Sequence, residues 1–123
     1  MLLDTNIIIH ACQPGGEWLA PWTNHPDSAV ASVTWIEALG FTAISREEEV
    51  SILNLIHSMP TYPLDDGVID QSIKLRQYKK MKLGDAIIAA TAMTYDIPLV
   101  SRNVDDFEHI DGLDLKNPFA SPS

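Results

Sequence analysis

The sequence predicts a single α/β domain, an α/β/α sandwich built on a mostly parallel sheet. Three observations carry that expectation. Short apolar runs alternate along the chain with longer stretches of helical periodicity, the order in which strands and crossover helices follow one another in such folds. The run from Gly84 to Tyr95 is Ala-rich and apolar nearly all round, which suits a helix buried against a sheet. The 123 residues contain no internal repeat, low-complexity tract or linker long enough to separate domains.

Each element has its own signal. Met1 to Leu3 reads as the core of a very short buried strand, followed by the cap-rich Asp4-Thr5-Asn6 and the apolar Ile7-Ile8-Ile9. Ala29 to Val33 reads as a second strand ending at the cap candidate Thr34, after which Trp35, Ile36, Leu39 and Ala43 show helical spacing. Ser45 with Glu48 matches a capping box for a helix whose apolar face draws on Val50, Leu53 and Ile56. Tyr62 to Leu64 predicts a short strand. Asp65 or Asp66 then caps a helix using Val68, Ile69, Ile73 and either Leu75 or Tyr78. Ile97 to Ser101 reads as a strand, and Leu113 to Leu115 as a weaker last one. Right-handed crossovers would join them.

Composition narrows the class of protein. Hydrophobic residues are 46% of the chain and charged residues 20%, a globular balance. The single cysteine, Cys12, excludes an intramolecular disulfide and a cysteine-based zinc cluster, as expected of a cytoplasmic protein. No apolar run approaches the roughly 18 residues that span a bilayer. Met1-Leu2-Leu3-Asp4 lacks the basic start of a signal peptide. With 17 acidic and 8 basic side chains the net charge is −9, which argues against a protein that coats nucleic acid.

The informative acids are those beside apolar runs. Asp4 follows the first strand, Glu37 sits within Trp35-Ile36-Glu37-Ala38-Leu39, Asp85 opens the Ala-rich helix, and Asn103, Asp105 and Asp106 follow a later strand. Ligands of α/β sheets bind just past the carboxyl ends of strands. Each position also has an ordinary reading. Asp4, Thr5 or Asn6 serves as a helix cap, Asp85 as a complement to a helix dipole, and Asp105, Asp106 and Glu108 as a solvated run. Glu37 among large apolar residues needs a solvent-facing angle or a partner. Taken jointly, the spacing favours a cluster of carboxylates neutralised by a cation, and hard oxygen donors select Mg²⁺ or Mn²⁺.

At these residues the chain resembles the PIN-domain ribonucleases, and among them the VapC-type toxins of prokaryotic toxin–antitoxin pairs. Leu2-Leu3-Asp4-Thr5-Asn6 resembles the family's opening strand and first catalytic Asp. Ser32-Val33-Thr34-Trp35-Ile36-Glu37-Ala38 resembles the segment carrying its Glu, and Leu83-Gly84-Asp85-Ala86-Ile87-Ile88 its most diagnostic helix start. Leu99-Val100-Ser101-Arg102-Asn103-Val104-Asp105-Asp106-Phe107 resembles the closing motif, and Gly112-Leu113 to Asn117-Pro118 the tail. The resemblance implies a domain over residues 1–118 with a short tail at 119–123. It implies a pocket in which Asp4, Glu37, Asp85 and Asp106 are both catalytic and metal-binding, with Mg²⁺ or Mn²⁺ as cofactor. Asn103 stands where many members have an Asp and becomes a pocket hydrogen-bonding group. Gly84 replaces a proline frequent before this Asp. Thr5, Asn6 and Ser101 would orient the acids.

Five of the eight basic residues lie between Lys74 and Lys82, immediately before Asp85. Lys79, Lys80, Lys82 and Arg102 are the candidates for RNA phosphate contact, against the ordinary reading of a solvated helix face. The four histidines show no ligand spacing. The expected function is a divalent-metal-dependent endoribonuclease cutting single-stranded RNA, a cytoplasmic homodimer held in check by a cognate antitoxin. Two rivals remain. One is a non-catalytic PIN-fold module binding RNA or protein, which cleavage assays exclude or support. The other is a phospho-acceptor protein using Asp4, disfavoured because no Asp lies two residues on.

Overall fold

The structure, a computed structural model, describes residues 1–120. Strand β1 (Leu2–Leu3) runs into α1 (Thr5–Ala11) through Asp4, whose backbone is extended and whose Oδ1 accepts the Thr5 N–H at 2.7 Å. A 3₁₀ turn (Glu17–Leu19) and the short α2 (Ala20–Thr23) follow, and the pattern of the sequence had no element there. Then come β2 (Val30–Ala31), α3 (Ser32–Leu39), α4 (Arg46–His57), β3 (Thr61–Tyr62) and α5 (Asp66–Tyr78). The chain ends with α6 (Leu83–Thr94), β4 (Leu99–Val100), a 3₁₀ turn (Val104–Asp106) and β5 (Leu115–Lys116).

All the strand pairings are parallel. β1 pairs with β4 and β4 with β5, while β2 pairs with β3. The two groups join where Leu2 bridges Ala29 and the Leu3 N–H donates to the Ala29 carbonyl at 2.8 Å. The strand order is therefore β3-β2-β1-β4-β5. Residues alternate across this sheet as the pleat requires. Leu2, Ala29, Ala31 and Leu99 pack with α5 and α6. Leu3, Val30 and Val100 pack with α1, α3 and α4. The α/β/α sandwich expected from the sequence is what these two cores build.

Several boundaries move, each for a packing reason. The second strand stops at Ala31 rather than Val33, and α3 starts at Ser32 instead of after Thr34. Val33 and Thr34 are β-branched and read as strand, but Thr34 is buried on the inner face of α3, and tertiary context overrides propensity. Ala43 lies beyond α3 in a turn with φ 66°, not on the helix. Ser45 does form the capping box, accepting the Glu48 N–H at 3.1 Å while Glu48 accepts the Ser45 N–H at 3.2 Å. The helix it starts buries Ile52 and Ile56, and Val50 faces solvent. The third strand is Thr61–Tyr62 instead of 62–64, the fourth is the inner pair of 97–101, and the last is shifted to Leu115–Lys116.

Helix α5 shows the largest revision. Asp65 is its cap, accepting the Val68 N–H at 2.9 Å and the Tyr95 hydroxyl, which ties its start to the end of α6. Its buried face is Val68, Ser72 and Leu75. Ile69, Ile73 and Tyr78 point outward, leaving an exposed apolar stripe with Leu64 and Leu83. Beneath it, every residue of α6 from Ala86 to Ala92 is buried, and its small side chains let it lie closely on the sheet.

Candidate active site

The chain leaves β1 toward β2 on one side and β4 toward β5 on the other, so the carboxyl ends of β1 and β4 form the switch point of the sheet. Asp4 and Ser101 sit there. Asp4 is 4% exposed, and its Oδ2 accepts the Ser101 hydroxyl at 2.6 Å and the Asn6 amide at 3.3 Å. Ser101 Oγ in turn accepts the Asn103 N–H at 3.0 Å, and Asn6 Oδ1 accepts the Arg102 N–H at 3.3 Å. Helix α1 and the turn after β4 are thus laced together around one buried carboxylate. Burial raises Asp4 from 3.8 to about 6, against the hydrogen bonds from Ser101 and Thr5, with Asp85 and Glu37 adding repulsion.

Glu37 projects from α3 into solvent, which resolves its presence among apolar neighbours. Its Oε1 accepts the Thr5 hydroxyl at 2.7 Å. Its Oε2 lies against the backbone of Gly84, where a Cβ would stand only 2.3 Å away. The first turn of α6 carries no side-chain cap, so this carboxylate faces the positive end of a helix. Gly84 is therefore more than a departure from a family pattern: a proline or alanine there would collide with Glu37 as it is placed.

Asp85, half-buried on the next residue, is also raised, first by burial, then by Asp106 and Glu37, while Lys82 opposes. Asp106 is exposed on its 3₁₀ turn. Asp85 and Glu37 thus act on Asp4, and Asp106 and Glu37 on Asp85, across the β1–β4 end of the sheet. Among the described residues no three His, Cys, Asp or Glu side chains are set to hold a metal ion as they stand. The donor chemistry of Asp4, Glu37, Asp85 and Asp106 fits a hard divalent cation. Asn103, expected as a hydrogen-bonding group of the pocket, contributes its backbone N–H to Ser101 Oγ, and its side chain makes no hydrogen bond among the described residues.

Lys79, Lys80 and Lys82 are exposed and, with Arg76, line a cleft of about 540 Å³ that Asp85, Asp105 and Asp106 also line. Among the described residues the one ion pair is Arg46–Glu49, so these lysines keep their charge free. Arg102 lies on the opposite flank, over the Phe119 ring and 3.0 Å from His10 Nε2. Neither His10 nor Phe119 was singled out by sequence. They lie 92 and 17 positions from Arg102, and no spacing rule relates them.

A family model described as PIN domain matches residues 1–113. The chain belongs to the PIN-domain family. A Ribonuclease VapC of Rickettsia bellii is 26% identical over 94% of this PIN domain and 93% of that protein. A solved toxin–antitoxin complex from Klebsiella pneumoniae contains a chain 31% identical, with a TM-score of 0.75, covering 91% of this chain and 93% of that one. The DNA-bound VapBC structure from Salmonella typhimurium is similar in fold, with a TM-score of 0.80 at 20% identity, over 94% and 96% of the two chains. No helix of this PIN domain among the described residues is long and apolar enough to cross a membrane.

Proposed function

We propose that this PIN domain is a Mg²⁺- or Mn²⁺-dependent endoribonuclease cutting single-stranded RNA, and the toxin of a type II toxin–antitoxin pair. The observation that carries the reading is the set of carboxylates at the switch point, where Asp4 is raised by burial and by Asp85 and Glu37, and Asp85 by burial and by Asp106 and Glu37. Asp4, Glu37, Asp85 and Asp106 would hold the cation. When bound, it would polarise a phosphodiester and lower the pKa of a water for in-line attack. Ser101 and Asn6 fix the orientation of Asp4, and Thr5 that of Glu37. Lys79, Lys80 and Lys82 would hold the RNA backbone on one flank, with Arg102 on the other.

The relatives found in toxin–antitoxin complexes support an antitoxin partner, and a cytoplasmic location accords with that reading. The exposed stripe Leu64, Ile69, Ile73 and Leu83, beside a groove of about 630 Å³, supports a homodimer. A purified Asp85→Asn variant is expected to lose RNA cleavage by more than about a hundredfold in saturating Mg²⁺, since even outer-shell losses cost 10- to 100-fold. Cleavage at the wild-type rate would remove the nuclease assignment. RNA binding without cleavage by the wild-type chain would favour the non-catalytic module.

Gly84→Ala separates site from fold. The clash falls on the mobile end of Glu37, so the melting temperature is expected to stay nearly unchanged, while Mn²⁺ affinity changes as the carboxylate is displaced. Unchanged affinity in calorimetric titration would show that Glu37 does not take part.

A further inference from the structure

Arg102 is held in an arrangement that neither the sequence pattern nor the carboxylate pocket explains. Its guanidinium carbon lies 4.8 Å from the centroid of the Phe119 ring, and its Nη1 is 3.0 Å from His10 Nε2. Phe119 is itself fixed edge-on by His10, with centroids 5.2 Å apart, and by Trp18, with centroids 4.9 Å apart. The backbone N–H of Arg102 donates to Asn6, whose amide reaches Asp4. A residue from the C-terminal segment thus reaches a side chain anchored one hydrogen bond from the pocket.

We propose that Phe119 and His10 are positioning residues that preset Arg102 as a phosphate-binding cation on the flank of the pocket opposite the lysines. Stacking uses the face of a guanidinium and leaves its edge free. Of five N–H donors, the contact to His10 occupies one nitrogen, and the other two nitrogens have no partner among the described residues. That free edge is the fork that binds phosphate bidentately. A flexible arginine loses rotamer freedom when it grips a ligand, and one already stacked has less to lose. This inference rests on the nuclease reading for the identity of the ligand, an RNA phosphate.

The test is a double-mutant cycle on the full chain, read by binding of a labelled mixed-sequence single-stranded oligoribonucleotide in Ca²⁺ across a salt series. Phe119→Leu keeps the apolar bulk and removes the ring face, and is expected to weaken binding about two- to fivefold. Phe119→Tyr should restore it. Arg102→Gln should weaken binding and flatten the log K against log salt slope by roughly 0.7, one phosphate contact on a single strand. Adding Phe119→Leu to Arg102→Gln should cost nothing further. Additive losses, full affinity in Phe119→Leu, or equal losses in the Leu and Tyr variants would each overturn the proposal. If Phe119→Leu melts early, the slope of Arg102→Gln still decides: an unchanged slope overturns the phosphate contact. Wild-type cleavage with unaltered Arg102→Gln binding would remove this inference alone, whereas a wild-type chain that neither binds nor cuts RNA would remove the nuclease reading with it.

Discussion

Asp4→Asn is expected to abolish RNA cleavage and, in the metal-free protein, to gain stability relative to wild type as pH rises to neutrality. The two effects have one cause. Asp4 is buried at the end of β1, and its folded-state pKa of about 6 lies above the ordinary 3.8. Between those values the folded chain holds a proton that the unfolded chain has released, so stability falls as pH rises through that window. A shift of this size corresponds to about 3 kcal/mol once the group is fully ionised. The asparagine variant keeps the shape and the acceptor for Thr5 without that cost, and gives up the Oδ2 acceptor for Ser101 and Asn6, a loss that does not vary across this pH window. The stability difference between variant and wild type should therefore move in the variant's favour by about 3 kcal/mol between about pH 4 and pH 7. Saturating Mn²⁺ should reverse the order, because only the wild type binds it well. Denaturant midpoints across pH, with and without metal, read both signs. A gap that is flat with pH would contradict the burial cost assigned to Asp4.

Phe107→Ala is expected to be the most damaging single truncation near the site. Phe107 is 1% exposed and is among the largest fully buried side chains. It closes the 3₁₀ turn that carries Asp106, its N–H donating to the Val104 carbonyl at 3.0 Å, and it packs into the core shared by α5 and α6. Removing a buried phenyl ring costs about 3–5 kcal/mol, a large part of the roughly 5–15 kcal/mol that holds a domain together. The ring also anchors Asp106, so Mn²⁺ affinity should fall in whatever fraction stays folded. A loss below about 1 kcal/mol in urea denaturation would show that the turn is held by something else.

The acids that the fold gathers at one end of the sheet were easier to read from the sequence than the edges of its elements. Asp4, Asp85 and the Ser101–Asp106 stretch stand where an apolar run meets a polar one, and strand ends in a parallel sheet are the places where ligands sit. The two-residue strands were harder to delimit, because Val33 and Thr34 have strand-forming side chains that α3 uses for packing. In α5 two apolar stripes share one helix, and periodicity alone does not say which one is buried. The Glu37–Gly84 contact and the Arg102–Phe119 stack join residues far apart in the chain through a geometry that only the fold supplies. The net charge of −9 also meant less than it first suggested. Burial and neighbouring carboxylates raise the pKa values of Asp4 and Asp85, and the lysines before Asp85 form no ion pair among the described residues.

The central claim is that this acidic pocket cuts RNA with a divalent cation. It is tested most directly by incubating the purified, metal-stripped chain with single-stranded RNA and then adding Mg²⁺ or Mn²⁺. The account predicts intact RNA before addition and endonucleolytic fragments after it, with Asp4→Asn inactive throughout. Cleavage that proceeds equally in chelator, or a wild-type chain that leaves RNA intact at saturating Mn²⁺, would contradict it.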